Sequence, residues 1–236
     1  MKLGIMQPYF MPYIGYFQLI ASVDQFIVYD KIKYTKKGWI NRNRMLLNGK
    51  DAIFSLPLKK GSDSLDVVER ELAADYDRKK LLNQFKGAYS HAPQFESAYP
   101  IIEQIVLHED NNLFGYINHS IVKLCAHLGI KTGIRISSEI DIDHELKGQD
   151  KVLAFCNGIG ADIYINPIGG TELYSKRDFS LQGVDLQFIK SRDFKYSQFG
   201  NQFVPWLSIV DVLMFNSKEI ICSDYLSAYE KIELDE

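Results

Sequence analysis

The sequence predicts an α/β protein with a parallel-rich sheet and a helical insertion, and three observations carry that reading. The first thirty residues alternate between an apolar run, a tight loop, a helical stretch and a second β-rich run. A middle stretch, residues 76–130, keeps helical apolar spacing and is broken only at His91-Ala92-Pro93 and His108-Glu109-Asp110. After Gly129 short β-rich runs return in alternation with helical ones. Strands that alternate with helices imply a sheet whose neighbours run parallel. The expected organisation is therefore an α/β core made of residues 1–75 and 131–236, with 76–130 as a helical insertion packed on it.

Lys2–Met6 is a short apolar run stopped by Gln7-Pro8, as a buried first strand would be. Pro12 restarts the chain, and Tyr13–Val23 is long enough for about three helical turns, with proline tolerated where no N–H is needed. Gln25–Asp30 is rich in β-formers. Together these make a right-handed βαβ unit, the building block of a Rossmann-like sheet. Its loop Gln7–Pro12 falls at a carboxyl strand end, where open parallel sheets bind ligands. Lys31–Arg44 reads as loop. Arg44–Leu47 and Ala52–Leu56 flank Asn48-Gly49 and read as a hairpin with a primed turn. Three helices are expected at Tyr76–Ser90, Gln94–His108 and Asn112–Leu128, the last stopped by Gly129. The second half reads as strand Gly133–Ile136, helix Asp150–Gly158, strand Asp162–Asn166 and strand Val184–Ile189. Two helices, Pro205–Asn216 and Lys218–Lys231, close the chain.

Composition narrows the functional classes. The chain has 236 residues, 46% of them hydrophobic, and 27 basic against 30 acidic side chains. A chain of this size buries about 70–75% of its unfolded surface, so folding needs neither disulfides nor metal. The net charge of −3 argues against a global electrostatic nucleic-acid binder. Cys125, Cys156 and Cys222 are odd in number and widely spaced, which points to reduced thiols and not to a disulfide framework or zinc site. Gln7-Pro8 interrupts the stretch that a signal peptide would keep apolar, and no segment nears 18 continuous apolar residues. The expectation is a cytoplasmic protein with no membrane span.

Three segments are candidates for a ligand site. In the loop from Gln7 to Phe17, two prolines stiffen the backbone and Gly15 allows close approach. Tyr13 and Tyr16 share a helix face there, and Gln7, Pro8 and Tyr9 sit at the strand end. The second segment, Lys31–Arg44, holds six basic residues and no acid, interleaved with Tyr34 and Trp39. Arginine forks at Arg42 and Arg44 suit phosphate, the amides of Asn41 and Asn43 suit sugar hydroxyls or base edges, Lys37 adds charge, and Trp39 offers a stacking face. The third segment follows strand Asp162–Asn166. Here Asn166, Gly169, Gly170, Thr171 and Tyr174 surround Glu172, the loop's only acid and a candidate general base. His91, before Ala92-Pro93, is a second candidate base. Ser208 and Asp211 lie on an otherwise apolar helix, so Asp211 must find a partner, an arginine or a cluster of backbone amides, and acts as a structural anchor. His119 and His127 are eight apart on one helix, which is wrong for a metal pair at i, i+4; no metal site is expected.

The run IMQPYFMPYIGYF followed by VYDKIKYTKKGWINRNRM, with Ala92-Pro93, ADIYINPIGGTELY, GVDLQF and FVPWLSIVDVLMFN, resembles the WbqC-like family from end to end. That family is tied to O-antigen and other surface-polysaccharide gene clusters. Many members carry His-Gln-Pro where this chain has Met6-Gln7-Pro8, so Gln7 and Pro8 are the positions that carry over. A weaker similarity sets Tyr13-Ile14-Gly15-Tyr16 where nucleotidylyltransferases and pantothenate-synthetase-like ligases carry His-x-Gly-His, with tyrosine replacing both histidines. The resemblance implies a lipopolysaccharide-related transferase or ligase acting on a nucleotide-linked amino sugar, for example by amide formation on the sugar amine. In that reading Gln7, Glu172 and His91 are catalytic and the nucleotide moiety belongs to the substrate. The alternatives are a non-catalytic nucleotide-sugar or glycan-binding protein, and a nucleotidyltransferase, adenylate-forming enzyme or nucleic-acid-binding module. A nucleotide-linked sugar or related anionic small molecule is the expected partner, ahead of nucleic acid.

Overall fold

The computed structural model describes residues 1–62 and 64–232 of the chain. It bears out the α/β reading with a six-stranded, mostly parallel sheet. The first strand β1 (Lys2–Met6) lies inside that sheet, followed by α1 (Ile14–Ala21) and β2 (Gln25–Val28). The hairpin β3 (Arg42–Leu47) and β4 (Lys50–Ser55) forms a separate two-stranded sheet. Its turn residues Asn48 and Gly49 have φ of 51° and 75°, the left-handed pair that a primed turn requires. Helices α2 (Arg78–Tyr89), α3 (Phe95–Val106) and α4 (Leu113–His127) follow. Then come β5 (Gly133–Ile136), α5 (Gly148–Ile159), β6 (Ile163–Pro167), α6 (Lys176–Leu181) and β7 (Asp185–Ser191). The chain closes with α7 (Ile209–Phe215), the single turn α8 (Lys218–Ile220) and β8 (Tyr229–Ile232).

The large sheet runs β5-β2-β1-β6-β7-β8. Every neighbouring pair is parallel except β7 with β8. Alternation of side chains across the strands explains why both faces are covered. Leu3, Ile5, Ile27, Tyr164, Leu186 and Phe188 point to one side and pack on Val152, Phe155 and Cys156 of α5 and Phe179 of α6. Phe26, Val28, Ile165 and Ile189 point to the other, into a larger core with α1, the helices α2–α4 and α7. Pro100 is the sixth residue of α3, past the first turn, so the helix lacks the N–H that would bond the Glu96 carbonyl.

Two expectations at the carboxyl end need correction. The last helix does not run from Lys218 to Lys231. It is α8 followed by a π-helical turn at Ile221–Tyr225, after which Tyr229–Ile232 pairs antiparallel with β7. A pattern of spaced apolar residues serves a helix or an edge strand equally well, and here the unpaired edge of β7 decides. Nor does a helix start at Pro205. Ser208 caps α7 by accepting from the Val210 N–H, and Trp206 before it adopts φ +61°. The short helix α6, which the sequence reading passed over, is capped by Ser175. Among the described residues no helix is long and apolar enough to cross a membrane.

Candidate functional site

Strand order determines where a ligand cleft opens. From β1 the chain crosses by α1 to β2 over one face, and from β6 it crosses by α6 to β7 over the other. β1 and β6 are neighbours, so their carboxyl ends diverge and leave a crevice between them. Met6-Gln7 forms one lip and Asn166-Pro167 the other, around a cavity of about 740 Å³.

This first lobe is the basic part of the cleft. Lys31, Lys33, Lys147 and Lys151 line it, against Asp66 and Glu145. Lys33 is paired with Asp66 at 2.9 Å, and the Lys151 ammonium donates to the His144 carbonyl at 2.8 Å. Gly148, the first residue of α5, also lines it, so the amino end of that helix adds partial positive charge. Of the expected ligand contacts, Gln7, Tyr9, Asn166, Gly169, Gly170 and Tyr174 line this lobe. The loop after β6 is tight around Asn166: a methyl group on Gly170 would lie 1.9 Å from the Asn166 amide nitrogen. Burial raises the Tyr174 hydroxyl pKa, and that of Tyr9, above the usual tyrosine value.

His144 is the histidine that the sequence reading missed. It lines the first lobe, and its Nε2 lies 3.0 Å from the Ile140 carbonyl. A carbonyl only accepts, so Nε2 carries the proton and Nδ1 keeps a lone pair in the neutral ring. That Nδ1 is buried and has no partner among the described residues. The available signal was positional: His144 stands in the loop between β5 and α5, another carboxyl strand end.

The second lobe, of about 350 Å³, adjoins the first through Met6, Tyr9 and Pro167. It is aromatic, with Tyr9, Tyr13, Tyr16, Trp39 and Trp206 around it. The Tyr16 hydroxyl donates to the Gln7 carbonyl at 3.0 Å, and the Tyr9 hydroxyl reaches the Gln7 side-chain oxygen at 3.3 Å. Gly15 is required here, since a methyl group on it would stand 2.3 Å from the Tyr13 ring. Two non-glycine residues flank the lobe with left-handed backbone, Met11 at φ +45° and Trp206 at φ +61°. Such strain persists only where the surroundings enforce it. Here Asn43 Nδ2 and the Ser208 hydroxyl both donate to the Met11 carbonyl, at 2.9 and 2.6 Å.

The structure brings the three expected segments to one end of the sheet but does not bring every expected residue to the cleft. Arg44, Trp39 and Asn43 line the second lobe; Lys37, Asn41, Arg42, Pro8, Thr171, Glu172 and His91 line neither. Arg42 spends its Nε–H on the Gly38 carbonyl at 2.8 Å and another N–H on the Lys37 carbonyl at 2.5 Å. Arg44 donates to the Trp206 carbonyl at 3.0 Å, and both guanidinium groups lie over Trp39. Asn41 is buried, donating to Leu56 and accepting from Tyr34. Pro8 is buried behind its loop, while Lys37 and Glu172 are exposed. His91 is exposed in the connection between α2 and α3. Asp211 is fully buried, but its partners are not the expected arginine or backbone amides. It accepts from Tyr89 at 3.0 Å and from Tyr196 and Gln198 at 2.7 Å each. Burial raises its carboxyl pKa above the usual range, against the lowering effect of those three donors.

The sequence model of the WbqC-like protein family matches residues 7–222. The uncharacterized protein Rv1507c of Mycobacterium tuberculosis is 27% identical over 218 residues, covering 91% of this chain and 93% of its own length. No solved structure matches the chain.

Proposed function

Because this chain belongs to the WbqC-like protein family, and because a lysine-rich lobe meets an aromatic one at its sheet's switch point, we propose that it is a transferase or ligase acting on a nucleotide-linked sugar. The family's link to surface polysaccharides supports cell-surface glycan synthesis as the setting for that sugar. The observation that carries the reading is the run of Lys31, Lys33, Lys147 and Lys151 beside the amino end of α5. With Asp66 and Glu145 set against them, the four ammonium groups leave two net positive charges, which together with a helix terminus suit a diphosphate. The neighbouring aromatic lobe suits the apolar face of a sugar. In the amide-forming version, the sugar amine attacks an activated acyl carbonyl, the donor's leaving group departs, and the amine proton is lost to solvent.

Thermal unfolding in the presence of UDP, UDP-N-acetylglucosamine, uridine and N-acetylglucosamine tests this. The diphosphate compounds should raise the melting temperature through selective binding to the folded state, and Lys147→Ala should reduce the rise. A melting temperature indifferent to every nucleotide tried, purine diphosphates included, overturns the reading.

A further inference from the structure

The cleft does not end at its aromatic lobe. A third cavity, of about 600 Å³, continues from it through the shared residues Tyr13 and Trp206 and opens at the carboxyl end of β7. The rings of Tyr13 and Trp206 meet edge to face at 5.7 Å, so this pair forms the partition between the lobes. Beyond it the wall is built by Phe194, Tyr196 and Phe203. Tyr196 is held by its bond to buried Asp211, and Phe203 stands edge-on to Tyr196 at 5.1 Å. The rim carries Arg192, Lys195 and Asp193, which leave one net positive charge. Neither Arg192 nor Lys195 has an ion pair or side-chain hydrogen bond among the described residues, and both are exposed.

An aromatic wall with unspent cations at its mouth has a definite chemical complement. The rings cover the C–H face of a pyranose, the guanidinium and ammonium take an anionic substituent, and Asp193 accepts from hydroxyls. We propose that this third lobe binds a second substrate, a pyranose bearing a carboxylate or phosphate. The inference rests on the nucleotide-sugar reading for its first substrate, but the lobe and its ligand stand on their own residues.

The chain has two tryptophans, Trp39 and Trp206, and only the second borders the third lobe. Intrinsic fluorescence of the full chain is therefore titrated with methyl β-glucuronide, glucose 6-phosphate and methyl β-glucoside. The two acidic sugars should shift the emission, in Trp39→Phe as in the parent, and should lose that signal in Trp206→Phe. The neutral glucoside should bind at least about tenfold more weakly, and Arg192→Ala should weaken the acidic sugars by about tenfold, the value of one charge-assisted hydrogen bond. Lys195→Ala should act in the same direction. Lys190→Ala, whose ammonium already lies 3.8 Å from Glu230, should change nothing. Equal affinity for acidic and neutral sugars overturns the proposal, as does a loss caused by Lys147→Ala in place of Arg192→Ala. UDP binding is followed on the same protein by thermal shift: its failure alone sinks the nucleotide-sugar reading, and failure of the acidic sugars alone sinks this one.

Discussion

The Tyr89 hydroxyl donates to the Asp211 carboxylate across 3.0 Å, joining α2 to α7 over 122 residues of sequence. The same hydroxyl accepts from the Leu46 N–H at 2.8 Å, so β3 belongs to the network as well. Tyr196 and Gln198 complete it from the loop that walls the third lobe. A buried carboxylate with no cation beside it is thus satisfied by three donors from two other segments, α2 and the loop holding Tyr196 and Gln198.

Asp211→Ala should cost about 2–5 kcal/mol, because it strands three buried donors at once. Asp211→Asn should cost less. The pH dependence has a definite sign. A folded-state pKa raised above the unfolded value near 3.9 means that folding takes up a proton, so the parent gains stability as pH falls from the raised value toward about 3.9. Asp211→Asn lacks that gain. Urea denaturation across this range should show the parent pulling ahead of the variant as pH falls; a pH-independent difference contradicts the assignment.

Gly170→Ala should disturb the first lobe, since its methyl group would fall 1.9 Å from the Asn166 amide. The expected loss is about 1–3 kcal/mol of stability, with weaker UDP binding. Its neighbour Gly169 has open space where a methyl group would go, so Gly169→Ala is the matched control. Similar melting temperatures for the two variants would contradict the packing described for this loop.

Gly87→Ala, inside α2 with nothing within 4 Å of the added methyl, should stabilise the protein by about 0.5–1 kcal/mol. Gly15→Ala should do the reverse, because the Tyr13 ring occupies the space. Chemical denaturation of both variants checks the pair, and opposite signs are required.

Arg42→Ala should lower stability, by about 0.5–1.5 kcal/mol per lost hydrogen bond, while leaving UDP affinity nearly unchanged. Its donors hold the carbonyls of Gly38 and Lys37, away from the lysine lobe. Lys147→Ala should show the opposite balance, a binding loss with little effect on folding. Calorimetric titration at fixed ionic strength separates the two, since salt screens exposed charges.

Native thiol titration should find at most one fast-reacting cysteine of three. Burial pushes the thiols of Cys125 and Cys156 up to about 12, which leaves almost no thiolate at neutral pH. Cys222 is half-buried and is the one open to a reagent. All three should react after unfolding in denaturant, and fast labelling of two in the native state would contradict the core assignments.

Period and punctuation in the sequence were enough to determine the α/β class, the opening βαβ unit, the Asn48-Gly49 hairpin and the three middle helices. These are local: each depends on which residues lie within a turn or on alternate sides of a strand. The sequence also placed Gln7, Asn166 and Gly170 at strand ends, and a parallel sheet puts all such ends on one edge. What only the tertiary structure decided was non-local. Arg42 and Arg44 look like free phosphate ligands in sequence, yet nearby carbonyls take up their donors once the chain folds back. Glu172 and His91 satisfy the chemistry of a base but fall outside the two lobes at the switch point, whereas His144 reaches the first of them from a loop 137 residues beyond Gln7. The pattern at Tyr229–Ile232 is compatible with helix or strand, and the open edge of β7 chose the strand. Local spacing dictates local structure because its forces act within a few residues; partners such as Tyr89 and Asp211 meet only after the whole sheet has ordered its strands.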